Sequence, residues 1–125
     1  MARQAPVGNP GAVTHEELIA YCLAKQGAEA DEPWEGDLVA KVGGKIFAFL
    51  GSGAGVGVKC GRDADEAAEL RERYPGTVTV SAYIGRYGWN HVTLDGAIPD
   101  DELREIVDES YAAIVAKLPK SKRPH

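Results

Sequence analysis

Residues 38–50 read LVAKVGGKIFAFL. Two runs rich in β-branched and aromatic residues flank Gly43-Gly44. A two-residue hairpin loop needs positive φ at both central positions, which glycine adopts without strain. The stretch therefore predicts a β-hairpin. On its second arm Ile46, Ala48 and Leu50 would share one face and Phe47 and Phe49 the other, so that both faces would be covered. Downstream, GSGAG (51–55) reads as a flexible loop and VGVKC (56–60) as a further strand, giving a three-strand meander.

Helices flank this meander. In VTHEEL (13–18), Thr14 is placed to cap a helix, Glu17 reaches back to the Thr14 amide, and Val13 and Leu18 fit a hydrophobic staple. DEPWEGD (31–37) reads as a polar connection. DADEAAELRERYPG (63–76) reads as a helix capped by Asp63 and ended by Pro75-Gly76. TVTVSAYI (77–84) and WNHVTL (89–94) alternate as strands do. After Ile98-Pro99, the acidic Asp100, Asp101 and Glu102 suit a first helical turn. Leu103, Ile106, Val107, Ser110, Ile114, Val115 and Leu118 then form the buried stripe of a long helix. The order is α-β-β-β-α-β-β-α. Hairpins, not helical crossovers, join the strands, so the class is α+β: one domain, an antiparallel sheet with helices packed on it.

The chain of 125 residues, 44% hydrophobic and 26% charged, fits a single core. Its expected divisions are a flexible tail at 1–13, a domain at 14–118 and a short basic tail at 119–125. Cys22 and Cys60 lie in different elements without CxxC spacing, which suits two reduced thiols in the cytoplasm. No apolar run approaches the ~18 residues of a membrane span. The N-terminus has no apolar core of a signal peptide. The net charge of −5 opposes bulk attraction to nucleic acid. Yet residues 38–94 hold seven basic residues and five acidic ones, so a local basic face is compatible with the composition.

VKCGRDADEAAELRERYPG (58–76) and SAYIGRYGWNHVTLDGAIPDDELREIVDESYAAIVAKLP (81–119) resemble the MmcQ/YjbR family of small bacterial proteins. KVGGKIFAFL (41–50) fits the family's hairpin, and the likeness extends over nearly all of residues 14–119. Its strongest pieces are Trp89-Asn90-x-Val92, Asp95-Gly96-x-x-Pro99 and Asp108-x-Ser110-Tyr111. The resemblance implies a double-wing-like, DNA-binding protein. The chain departs from the family's pattern at Ile84 and Gly88, where many members carry histidine or a basic residue.

The densest cluster of functional side chains is GRYGWNHVTLDGAIP (85–99). On a strand, Trp89 and His91 share one face and Asn90 takes the other. The favoured reading places Trp89 in the core with Asn90 exposed. The alternative makes Trp89 and His91 an exposed platform near Arg86 that stacks bases or meets the backbone, with Tyr83 beside it and Asn90 donating hydrogen bonds. Lys45 and Lys59 would then meet phosphate, and the basic tail (Lys117, Lys120, Lys122, Arg123) would add weak, salt-sensitive affinity.

His91 has no nucleophile partner at a readable spacing. GSGAGVGVK leads into a strand, not a helix, so it is a hairpin tip and not a phosphate loop. Ser110 faces the buried stripe and is expected to bond a carbonyl one turn back. No catalytic, metal-binding or cofactor residue is assigned, and no cofactor is expected. The expected function is a non-catalytic, cytoplasmic binding domain, a monomer or weak dimer, with DNA as its partner over Lys45, Lys59, Tyr83, Arg86, Trp89, Asn90 and His91. A protein-interaction or small-ligand module is the alternative, and the acidic balance fits it better.

Overall fold

A computed structural model describes residues 14–51, 55–61, 63–81 and 87–124. The tail expected at 1–13 lies outside them, as do Arg62, Tyr83, Ile84 and Arg86. The elements are α1 (His15–Leu23), β1 (Ala28–Trp34), β2 (Asp37–Val42), β3 (Lys45–Phe49), β4 (Gly55–Lys59), α2 (Ala64–Arg73), β5 (Val78–Val80), β6 (Trp89–Thr93) and α3 (Asp100–Ala116), with a 3-10 turn at Lys120–Lys122. The strands form one six-stranded sheet in the order β1-β2-β3-β4-β6-β5, antiparallel throughout.

The local signals act as expected. Thr14 and Glu17 make the reciprocal capping box of α1, and the Asp63 carboxylate accepts from the Asp65 and Glu66 amides at the start of α2. Gly43 and Gly44 close the β2–β3 turn with φ of +59° and +86°.

β1 is an additional strand where a polar connection was expected. It carries Glu29, Asp31, Glu32 and Pro33, residues that disfavour strands by propensity. It is an edge strand, paired with β2 alone, and edges tolerate and use charge and proline to discourage further pairing. Lys41 on β2 pairs with Asp31 at 2.6 Å and holds its carboxyl below the usual range.

A bulge changes the faces of β3. Between β2 and β3 the register slips from Ala40↔Ala48 to Lys41↔Ile46, so Phe47 is the extra residue. Phe47 and Ala48 both turn inward and are buried, and Phe47 meets the Tyr111 ring of α3 edge-to-face at 5.2 Å. Strict alternation, which put Phe47 opposite Ala48, fails here. The bulge also parts β3 from β4 beyond Ala48↔Val58, and the Ser110 hydroxyl fills the gap. It accepts from the Lys59 amide at 2.9 Å and donates to the Phe47 carbonyl at 2.6 Å. Ser110 thus joins two strands across the helix–sheet interface and does not bond back into its own helix.

The helices share one face of the sheet. The core between them includes Leu18, Cys22, Val42, Phe47, Val58, Val92, Ile106, Val107 and Ile114. α1 is tied to α3 by Asp108, which accepts from Tyr21 Oη at 2.7 Å and pairs with Lys25. Tyr111 donates to the Gln26 carbonyl. The Asp108-x-Ser110-Tyr111 motif therefore fastens α3 to α1 and to the sheet.

Candidate functional site

β6 decides the fate of the cluster at 89–91. Asn90 and Val92 point to the helices and are buried, while Trp89, His91 and Thr93 lie half-buried on the opposite face. Trp89 is half-buried and packs against the margin of the core, with its ring edge-to-face on Phe49 at 5.4 Å; it is Asn90, expected to be exposed, that the structure buries. The glycines of β4 make this possible. A Cβ at Gly57 would lie 3.3 Å from Phe49 Cβ, and one at Gly55 2.7 Å from His91 Nε2. Phe49 and His91 lean into the trough those glycines leave, and β4 is buried along its whole length.

Two of the expected contact residues are committed to the interior. Asn90 is 0% exposed; its Oδ1 accepts from Arg71 at 2.6 Å and its Nδ2 donates to the Ala67 carbonyl at 3.0 Å. A buried amide needs such partners, and here they pin α2 to the sheet. Lys59 is 4% exposed and its ammonium donates to the Tyr87 carbonyl. Burial, followed by the neighbouring Lys117 charge, lowers its pKa. Neither side chain is available to a phosphate. Tyr83 and Arg86 lie outside the described residues. Gly88 has φ +91°, and a Cβ there would lie 2.2 Å from the Gly61 carbonyl oxygen. Close approach of two backbones leaves no room for a side chain here.

Lys45 is exposed, and the structure gives it company that sequence order hides. The segment after α3 folds back instead of trailing away. Leu118 and the Lys122 carbonyl press against Gly43, where a Cβ would lie 2.6 Å from Leu118 Cδ1 and 3.1 Å from that oxygen. Arg123 donates to the Leu118 and Ala116 carbonyls at 2.9 and 3.2 Å, capping the end of α3. Exposed Lys120, Lys122 and Arg123 thereby share a corner with Lys45, with Lys117 at the end of α3. Among the described residues no carboxylate pairs with these five. The KSKR run was visible in the sequence. Its landing place was not, because docking on Gly43 is a tertiary contact between segments nearly eighty residues apart.

The remaining titratable groups offer little reactive chemistry. Burial pushes the Cys22 thiol up to about 12 and the Cys60 thiol up to about 11, which holds both protonated at neutral pH. His15 donates to the Leu50 carbonyl at 3.0 Å. Among the described residues, no three His, Cys, Asp or Glu side chains converge as metal ligands, and no helix is long and apolar enough to cross a membrane.

The YjbR family profile matches residues 23–113. A 33% identity over 113 residues to the Escherichia coli (strain K12) protein named "Uncharacterized protein YjbR" covers 89% of this chain and 95% of that one. The chain belongs to the YjbR family. The Escherichia coli O157:H7 YjbR protein matches with the same figures. In three dimensions, Deinococcus radiodurans protein DR2400, with a domain called DUF419, superposes with a TM-score of 0.77 at 24% identity, covering 91% of this chain and 88% of its own. A Pseudomonas syringae protein superposes at 0.64 and 16%, covering 81% and 98%. These structural likenesses show that the α+β fold is shared with solved proteins.

Proposed function

We propose that this YjbR-family chain is a binding domain without chemistry of its own, and that it engages the DNA backbone through its basic corner. The observation that carries the reading is the seating of the closing segment on Gly43. It brings Lys120, Lys122 and Arg123 beside Lys45 on one corner of a chain whose net charge is −5, with Lys117 at the adjoining end of α3. Clustered cations bind DNA chiefly by releasing its condensed counterions, so affinity falls steeply with salt and depends little on sequence. Lys45 opens β3 opposite Val42 on the helix side of the sheet, and the bulge turns Phe49 to the other face, so the contact is confined to the corner.

The test is fluorescence anisotropy with a labelled mixed-sequence duplex, at low and then physiological salt. A Lys45→Glu/Lys122→Glu variant should bind at least tenfold more weakly at low salt and with a shallower salt slope. Lys59→Met should keep the parental slope, because that ammonium faces the Tyr87 carbonyl. No binding at low salt, or a slope indifferent to the double variant, overturns the proposal.

A further inference from the structure

We infer that the groove between α2 and α3 is a docking site for a protein partner, and that it takes a segment with an apolar ridge flanked by lysine or arginine. The two helices lie side by side on the sheet, α2 over β5 and β6 and α3 over β2, β3 and β4. They are tied at one end, where Glu102 accepts from Arg73 and from Tyr74 Oη. Beyond that tie they part. The groove is narrow beside Leu70 and Ile106, enclosing about 320 Å³, and widens to about 630 Å³ toward Lys59 and Lys117.

The floor and the rim have different chemistry. The apolar side chains of the floor are Leu70, Ile106, the Cys60 thiol and half-buried Ala113, with exposed Ala116 at the wide mouth, and longer side chains at the two alanines would close the gap. Cys60 belongs with the apolar atoms, since burial keeps it a neutral thiol. The rim is acidic. Glu66 and Glu69 on α2 face Glu105 and Glu109 on α3. Exposed Glu69, Glu105 and Glu109 have no cationic partner among the described residues. Facing rows of like charge oppose closure of the two helices over the apolar floor.

That combination selects the occupant. DNA is repelled by the sign of the rim. A cationic segment with apolar side chains on one side meets both needs: its ridge fills the floor and its flanks neutralise the rim, the helix-in-groove mode of recognition. Lys117 lies at the wide end of this groove, but the corner variant Lys45→Glu/Lys122→Glu leaves the groove's lining unchanged, so the two proposals are tested separately.

The experiment uses the full chain and a labelled synthetic helix of leucine and lysine, with the leucines on one face. A leucine–glutamate helix of the same pattern is the control. The leucine–lysine peptide should bind, moving amide signals of residues 66–70 and 105–116. Ala113→Leu, which fills the floor and leaves every charge in place, should weaken binding at least tenfold. Ala116→Leu is the second variant should the first not fold. Glu69→Lys/Glu109→Lys should weaken it likewise, while Lys45→Glu/Lys122→Glu should not. Equal binding by the filled-floor variants would mean that charge alone is being read, and would overturn the groove as the site. So would amide shifts that map elsewhere, or binding of the leucine–glutamate control. Concentration-dependent self-association that buries the groove without peptide would overturn the partner in favour of a second copy.

Discussion

Ser110→Ala tests the join between helix and sheet. The hydroxyl is wholly buried and serves two backbone groups at once, accepting from the Lys59 amide and donating to the Phe47 carbonyl. The bulge at Phe47 keeps those groups from meeting directly. Alanine would leave both without a partner where water has no access, and each unsatisfied buried group costs about 1–3 kcal/mol. Better helix propensity returns about 0.5 kcal/mol. The expected net loss is about 1.5–5.5 kcal/mol, a large part of the roughly 5–15 kcal/mol that holds an ordinary domain. Urea unfolding followed by circular dichroism should show a lower midpoint with an unchanged slope. The Lys59 amide should lose much of its protection in native-state hydrogen exchange. A variant within about 0.5 kcal/mol of the parent, below the value of one ordinary hydrogen bond, would show that β3 and β4 pair without the serine, and the reasoning would be wrong.

Trp89→Ala should lower stability by about 1.5–2.5 kcal/mol, roughly half the cost of emptying a core tryptophan site; a loss above about 4 kcal/mol in chemical denaturation would return the ring to the interior. Gly88→Ala should cost more than about 2 kcal/mol, combining left-handed strain with the clash on Gly61, and an unshifted melting temperature would contradict that approach of backbones. The Cys22 thiol, raised from 9.0 to about 12, makes stability pH-dependent. Below pH 9 both states keep the proton and the full stability is present. Above it the unfolded chain releases the proton and the folded chain does not, so stability falls by up to about 1.4 kcal/mol per pH unit. Urea titrations across this range should show a shallower fall for Cys22→Ala, and parallel falls would refute the assignment.

Signals that act over a few residues were the ones legible in advance. The Thr14 capping box, the Asp63 cap, the Gly43-Gly44 turn and the apolar stripe of α3 each depend on neighbours in the chain, and each forms as read. β1 was hidden because its strand character comes from pairing with β2, not from its acidic, proline-bearing composition. The face of Phe47 was hidden because a bulge is a property of two strands in register. Asn90 and Lys59 look like surface residues by type; only the structure shows Arg71, Ala67 and Tyr87 waiting for them. The basic corner and the α2–α3 groove share that reason. Each is assembled from segments far apart in sequence, and residue type alone does not say which distant segments meet.

The position of α3 has a consequence for how the molecule comes into being. Every strand precedes it in the chain, yet it supplies the cover for the middle of the sheet and the hydroxyl that joins β3 to β4, 63 and 51 residues after the groups it serves. During synthesis the sheet is therefore made before its lid. Until α3 emerges, Phe47, Val58 and their neighbours have no helix to lie against, and the opening at the bulge stays unbridged. The nascent chain passes through an interval with an apolar sheet face exposed, the kind of surface that chaperones hold. Among the described elements, birth order makes α3 the one whose arrival covers the middle of that face.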